Sequence, residues 1–179
     1  MRLTSVRKVT TLVATIIVAA LESSAQTAAP SLSANLAPIA FLTAHEWDAQ
    51  LPDTPDGKKR KIHAQFTSAP SGQAMRITNQ MITDGKASPY IDGLYAWDPQ
   101  EHTILFWYVG AEGSLTRGTV KSEGGKLVHD FEQIDPNGRA ERYVAHVTPH
   151  GDQAWENEIF ARKENGLTPL VKVHYELAK

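Results

Sequence analysis

The chain has 179 residues, a formal net charge of −2 and no cysteine. That length supports one domain with a full core, and the mild acidity gives no general pull toward nucleic acid. The missing cysteine excludes thiol catalysis, cysteine-ligated zinc, disulfide staples and an acylated N-terminal cysteine.

The chain opens on a basic start, Arg2, Arg7 and Lys8, followed by the apolar run Val9–Leu21 and small residues at Ser23 and Ala25. This three-part layout predicts a secretory signal peptide over residues 1–25, removed after Ala25. The run is shorter than the roughly 20 residues of a membrane span. The expected product is therefore exported, periplasmic or secreted, with no stable span after processing. Processing takes away three basic residues and one acidic one, moving the formal charge from −2 to −4. Residues 26–35, QTAAPSLSAN, read as a linker to a domain over 36–179. Leu36, Ile39 and Leu42 or Thr43 then fall at helical spacing and predict a short helical segment.

Beyond it the hydrophobic signal has period two. Strands are predicted over HEWDAQL, KRKIHAQFTS, QAMRITNQMIT, YIDGLYAW, TILFWYV, GSLTRGTV, KLVHDFEQI, RAERYVAHV, QAWENEIFAR and LTPLVKVHYELA. Turn residues separate them, including APSG, DPQEH and DPNG. The basic run Gly57–Lys61 reads as a solvated turn and strand edge, where lysines discourage edge pairing. Strands in simple succession predict an all-β fold, an antiparallel up-and-down barrel of about ten strands, because closure removes exposed edges. A barrel of that size is wide enough to enclose one small ligand.

The hairpin Leu94–Val109 carries aromatic bulk on both faces: Tyr95 and Trp97 alternate with Leu94 and Ala96, and Phe106 and Tyr108 with Leu105, Trp107 and Val109. A barrel explains this if one face lines the interior and the other is covered by a loop, the N-terminal segment or a partner.

The segment GLYAWDPQEHTILFWYVGAEG, with its Trp97-Asp98-Pro99 turn entrance, and the closing strands with Arg142, Glu156 and Tyr175, resemble the exported bacterial lipocalin-like families of the calycin group, related in shape to nitrobindin-type barrels. FLTAHEW supplies the Phe41, Leu42 and Trp47 of their first strand, with His45 where those families carry glycine. The resemblance spans roughly residues 36–179 and implies the lipocalin-like barrel. Nitrobindin-type barrels hold haem through a histidine near the C-terminus, a place that His174 occupies here. Alternation sets His174 with Lys172 and Glu176, opposite the apolar row Val171, Val173, Tyr175 and Leu177, so no cofactor is expected.

Other constellations are weaker. His146, His150 and Asp152 carry metal-binding groups, but they sit around a Pro- and Gly-containing loop and fall short of a four-ligand set. Asp130 with Glu132, and Glu156 with Glu158, share strand faces. Cross-strand ion pairing on a wet face, with Arg142 as a partner for Asp130 or Glu132, is the expectation for them. No Gly-x-Ser-x-Gly elbow or glycine-rich nucleotide loop is present.

The candidate ligand-binding lining is Met75, Ile77, Asn79, Phe106, Tyr108, Arg142, Tyr143, Trp155 and Glu156. Asn79 is the polar member of an apolar row, and Arg142 or Glu156 becomes the leading polar anchor if it points inward. The leading functional expectation is non-catalytic binding of a small apolar or amphipathic molecule inside the barrel. An alternative is a barrel enzyme of isomerase or hydrolase type with Glu156, Asp130 or His129 facing the interior. A third is a protein that forms a homodimer through Leu105, Trp107 and Val109.

Overall fold

Leu36, Ile39 and Leu42 lie three residues apart, the period of a 3₁₀ helix rather than an α-helix. The computed structural model describes residues 31–179, and in it Ala34–Ala44 forms such a helix with those three side chains buried. The helix thus begins inside the segment read as linker. The expected signal peptide, and the linker up to residue 30, lie outside the described residues. Among the described residues no helix is long and apolar enough to cross a membrane.

Ten strands follow: β1 (Trp47–Leu51), β2 (Arg60–Ser68), β3 (Ala74–Thr83), β4 (Lys86–Asp98), β5 (Thr103–Gly110), β6 (Leu115–Glu123), β7 (Lys126–Ile134), β8 (Ala140–His150), β9 (Ala154–Lys163) and β10 (Gly166–Leu177). Each pairs antiparallel with its neighbours in the chain, and β1 pairs with β10, so the sheet is a closed barrel. Turn chemistry sets the registers. Asp84 and Gly85 both have positive φ, the signature of a two-residue hairpin turn. That turn needs no more residues, so β4 starts at Lys86, well before the expected Tyr90. In the β7–β8 connection the Asp135 carboxylate accepts the Asn137 and Arg139 N–H groups, each at 2.9 Å. β8 runs through to His150, which places His150 on a strand rather than in the loop expected there.

Residues paired directly across an antiparallel ladder share a face. One inner row therefore runs Met75, Tyr95, Phe106, Gly118, Phe131, Tyr143 across six strands. Two glycines make room for it. A Cβ on Gly118 would stand 2.2 Å from the Asp130 carbonyl oxygen and 2.6 Å from the Phe131 Cβ; one on Gly93 would stand 2.4 Å from the Tyr108 ring. The aromatic side chains thus crowd over the glycine backbone of the neighbouring strand, where no other residue would fit.

The 3₁₀ helix closes one end. Ser33 N–H donates to the Gly72 carbonyl at 2.8 Å, and the Trp47 indole N–H donates to the Leu42 carbonyl at 2.9 Å. The inner side chains nearest this end (Trp47, Phe66, Met75, Ile104, Val120, Leu127, Trp155, Tyr175) are no more than 5 % exposed. Burying each large apolar side chain contributes roughly 1.5–3 kcal/mol. At the other end no helix of the described residues intervenes, and the inward residues Met81, Ile91, Tyr108, Phe131, Tyr143 and Ile159 are only half-buried. The interior is thus packed at the helix end and half-buried at the other, and that half-buried end is the candidate cup.

Candidate ligand-binding cup

The interior's polar groups come from side chains that strand alternation turns inward. Tyr95 on β4 and Tyr108 on β5 bring their hydroxyls together in a hydrogen bond, and the Tyr95 hydroxyl lies 3.4 Å from Nε2 of His129 on β7. Phe106 presses on the His129 ring edge-to-face at a centroid distance of 5.2 Å. Burial in this aromatic setting pulls the His129 imidazole down to about 4, so it is neutral at ordinary pH. Burial pushes the phenols of Tyr95, Tyr108 and Tyr175 up. Nearer the rim, Tyr143 stacks on Phe131 at 5.5 Å and its hydroxyl donates to Glu141 at 2.5 Å. At the helix end, Trp155 and Tyr175 stack face to face at 3.8 Å.

Four polar atoms on this inner wall are buried without a hydrogen-bond partner: Asn79 Oδ1, His129 Nδ1, Trp155 Nε1 and Asn157 Oδ1. A buried polar group left unsatisfied costs about 1–3 kcal/mol. Such a cost is tolerated where a bound group satisfies it.

Seven of the expected lining residues are brought together inside. Met75, Ile77, Asn79, Phe106 and Trp155 are buried, and Tyr108 and Tyr143 line the half-buried upper wall. Arg142 and Glu156 are not among them. Arg142 is exposed and sits opposite Glu132 in the register, on the outer face. Glu156 accepts an ion pair from Lys172 at 2.9 Å, and His150 and His174 flank it at 3.5 and 3.8 Å. Lys172 and His150 hold the Glu156 carboxyl below the usual range. Each of these residues follows or precedes an inward one, and the pleat sends it out.

The outer carboxylates pair as a wet sheet face predicts, though with different cations. Asp130 bonds Arg162 at 2.7 Å and Glu132 bonds Arg117 at 2.6 Å, rather than Arg142. His174 points outward beside Glu156 and Glu176, away from the interior a haem ligand would need. His146 packs on Phe160 outside, and no group of three metal-binding side chains gathers among the described residues. On the outer face of β4 and β5, Leu94, Trp107 and Val109 are exposed, beside a groove of about 770 Å³.

Many inward residues lie outside the expected lining, among them the polar Tyr95, His129 and Asn157. Tyr95 and Asn157 had a readable signal: Tyr95 and Trp97 alternate with small or aliphatic neighbours, and Trp155, Asn157, Ile159 and Ala161 form one period-two row. His129 shares its row with Leu127 and Phe131, which marks it as inward in the same way.

The closed, ten-stranded antiparallel barrel with its short N-terminal 3₁₀ helix is consistent with a calycin-like fold. No protein-family model matches the chain, and no curated protein matches it.

Proposed function

We propose that this protein binds a small amphipathic molecule inside the barrel without transforming it. The observation that carries this reading is the burial gradient along the inner wall. The helix end is packed shut, whereas the opposite end leaves apolar and aromatic side chains within reach of solvent. No element of the described residues covers that end, and a lining of aromatic side chains with a few polar anchors is the usual make-up of a small-molecule site. Titration with N-phenyl-1-naphthylamine tests it. Saturable binding is expected, weakened at least about tenfold by Ile159→Trp, which fills the upper cup where the side chain is only half-buried. Absence of saturation, or equal binding by the filled variant, removes the reading.

A second reading has one observation in its favour, the neutral imidazole of His129 beside Tyr95 inside the barrel. It makes the protein a catalyst of isomerase or hydrolase type with His129 as base. Asp130 and Glu156, the other acid–base candidates, are on the outer face and take no part. A panel of 4-nitrophenyl esters and ketone substrates turned over no faster than by His129→Phe would end this second reading.

Export is part of the proposal, and its support is the sequence layout of residues 1–25. Protein recovered from the periplasm or medium is expected to begin at Gln26.

A further inference from the structure

The polar groups lining the interior have one property in common. Asn79, Tyr95, Tyr108, His129, Trp155, Asn157 and Tyr175 are all neutral side chains. Among the described residues no Lys, Arg, Asp or Glu is buried. The charges carried by the wall lie on its outer side, where they neutralise one another: Lys61 with Asp48, Arg76 with Asp92, Arg117 with Glu132, Arg162 with Asp130 and Lys172 with Glu156. Charges return only around the rim, where the Arg60 guanidinium is tied to the Pro52 carbonyl at 3.0 Å and Glu141 holds the Tyr143 hydroxyl.

We propose that the interior selects a ligand whose buried end is an uncharged hydroxyl, carbonyl or amide, and that it refuses ionised carboxylates, phosphates and ammonium groups. This rests on the binding reading above and names the chemistry of that same site. The physical reason is desolvation. An ion carried into the cup loses its water and meets no opposite charge, a penalty that only a paired partner offsets. The hydroxyls of Tyr95 and Tyr108 are engaged with each other, and burial keeps His129 from serving as a cation at neutral pH.

A neutral hydroxyl meets the opposite situation. The free atoms of the interior include acceptors, Asn79 Oδ1 and Asn157 Oδ1, a donor, Trp155 Nε1, and His129 Nδ1, which is either according to tautomer. A hydroxyl both donates and accepts, so it satisfies any of them. A carboxylate only accepts, and an ammonium only donates.

The test uses three ligands of one chain length, octan-1-ol, octanoate and octylammonium, competing at pH 8 against N-phenyl-1-naphthylamine on the full barrel. Octanol is expected to displace the probe at concentrations at least about tenfold below either ion, the worth of one buried hydrogen bond or more. His129→Phe and Asn157→Leu are each expected to weaken octanol about tenfold and to leave the ions where they were. Equal displacement by octanoate overturns the proposal. Arg60→Gln then reports the reason, since it weakens octanoate only if the carboxylate stays at the rim. A preference for octanol that survives both interior substitutions is ordinary partitioning and overturns the proposal as well. If the probe itself fails to bind the unaltered protein, the cup reading falls and this inference falls with it. Probe binding without discrimination overturns this inference alone.

Discussion

His129 is an ionisable group in an apolar setting, and that makes its protonation a pH-dependent contribution to stability. Its folded-state pKa is about 4 against an ordinary 6.5, so between those values the unfolded chain takes up a proton that the native state resists. Stability is complete above about pH 6.5 and falls as pH drops toward 4. The loss amounts to about 2–3 kcal/mol at pH 4.5, because each tenfold difference in proton affinity between the two states is worth about 1.4 kcal/mol. Urea unfolding at pH 7 and pH 4.5 should show His129→Phe losing less stability on acidification than the unaltered protein by that amount. Asp48 and Glu156, whose carboxyls are held low by their cationic partners, titrate in both proteins and cancel. Equal losses would mean His129 is not sealed from water. A second single-residue test concerns Gly118, whose added Cβ would meet backbone oxygen at 2.2 Å and has no soft neighbour to displace. Gly118→Ala is expected to cost about 1–3 kcal/mol by overpacking, read as a lower urea midpoint with unchanged slope. At this scale the inner lining was partly legible in the residues. Asn79 stood out because a polar side chain interrupts an apolar row. Arg142 beside Tyr143, and Trp155 beside Glu156, are consecutive residues on strands, so the pleat allows only one of each pair to face in. The pattern alone thus excludes two of those four, and the exposure of Arg142 and the ion pairs of Glu156 in the closed barrel show which. The Tyr95–Tyr108–His129 contact reaches from the β4–β5 hairpin past β6 to β7, and nothing in any one strand's own pattern announces it.

Among the elements, β1 and β10 form the weak place. β1 has five residues and β10 has twelve, and only Trp47 with Leu177 and Asp48 with Glu176 pair between them. Pro52 follows β1 directly and has no N–H to extend the ladder. From Gly166 to Lys172, β10 is therefore bonded on one side only, by β9. Leu167, Leu170 and Val171 are exposed there. Free edges invite pairing with other chains, and this one carries three known guards: Pro169, a register shift between Pro169 and Val171, and Lys172. The number of strands, their order and closure were readable from period-two runs and turn residues. The seam was not, because it depends on how far two strands separated by nearly the whole chain overlap. Hydrogen exchange should find the β10 amides from Leu170 to Lys172 exchanging far faster than those of β7 and β8, which have partners on both sides. With no cysteine elsewhere in the chain, Asp48→Cys with Glu176→Cys forms a single disulfide between residues already paired. Oxidation should raise unfolding stability by about 3–5 kcal/mol, as expected for closing a long loop. No gain would mean that the bridge strains the native pairing of the two strands.

At the scale of the whole molecule, the barrel has no covalent staple, and its last closure joins the first strand to the last. Every other ladder links neighbours in the sequence, so most pairing forms locally, but the cup does not exist until β10 reaches β1. That single long-range closure completes the packed helix end. Trp155 on β9 is stacked on Tyr175 of β10 and faces Trp47 of β1 at 6.3 Å, so the three rings meet only in the closed state. Loop-closure entropy must be met before these contacts return anything, which makes the β1–β10 closure the slow step expected of folding. A chain ending at Asn165 provides the sharper test. It keeps nine strands and the helix but leaves β1 and β9 as open edges and uncovers Trp47 and Trp155. Such a chain is expected to lose its cooperative urea transition, to expose its indoles to acrylamide quenching, and to bind N-phenyl-1-naphthylamine without saturation. If the nine-stranded chain instead unfolds cooperatively and keeps its indoles shielded, the packed helix end stands without closure. The interior would then owe its shape to the helix and the meander alone.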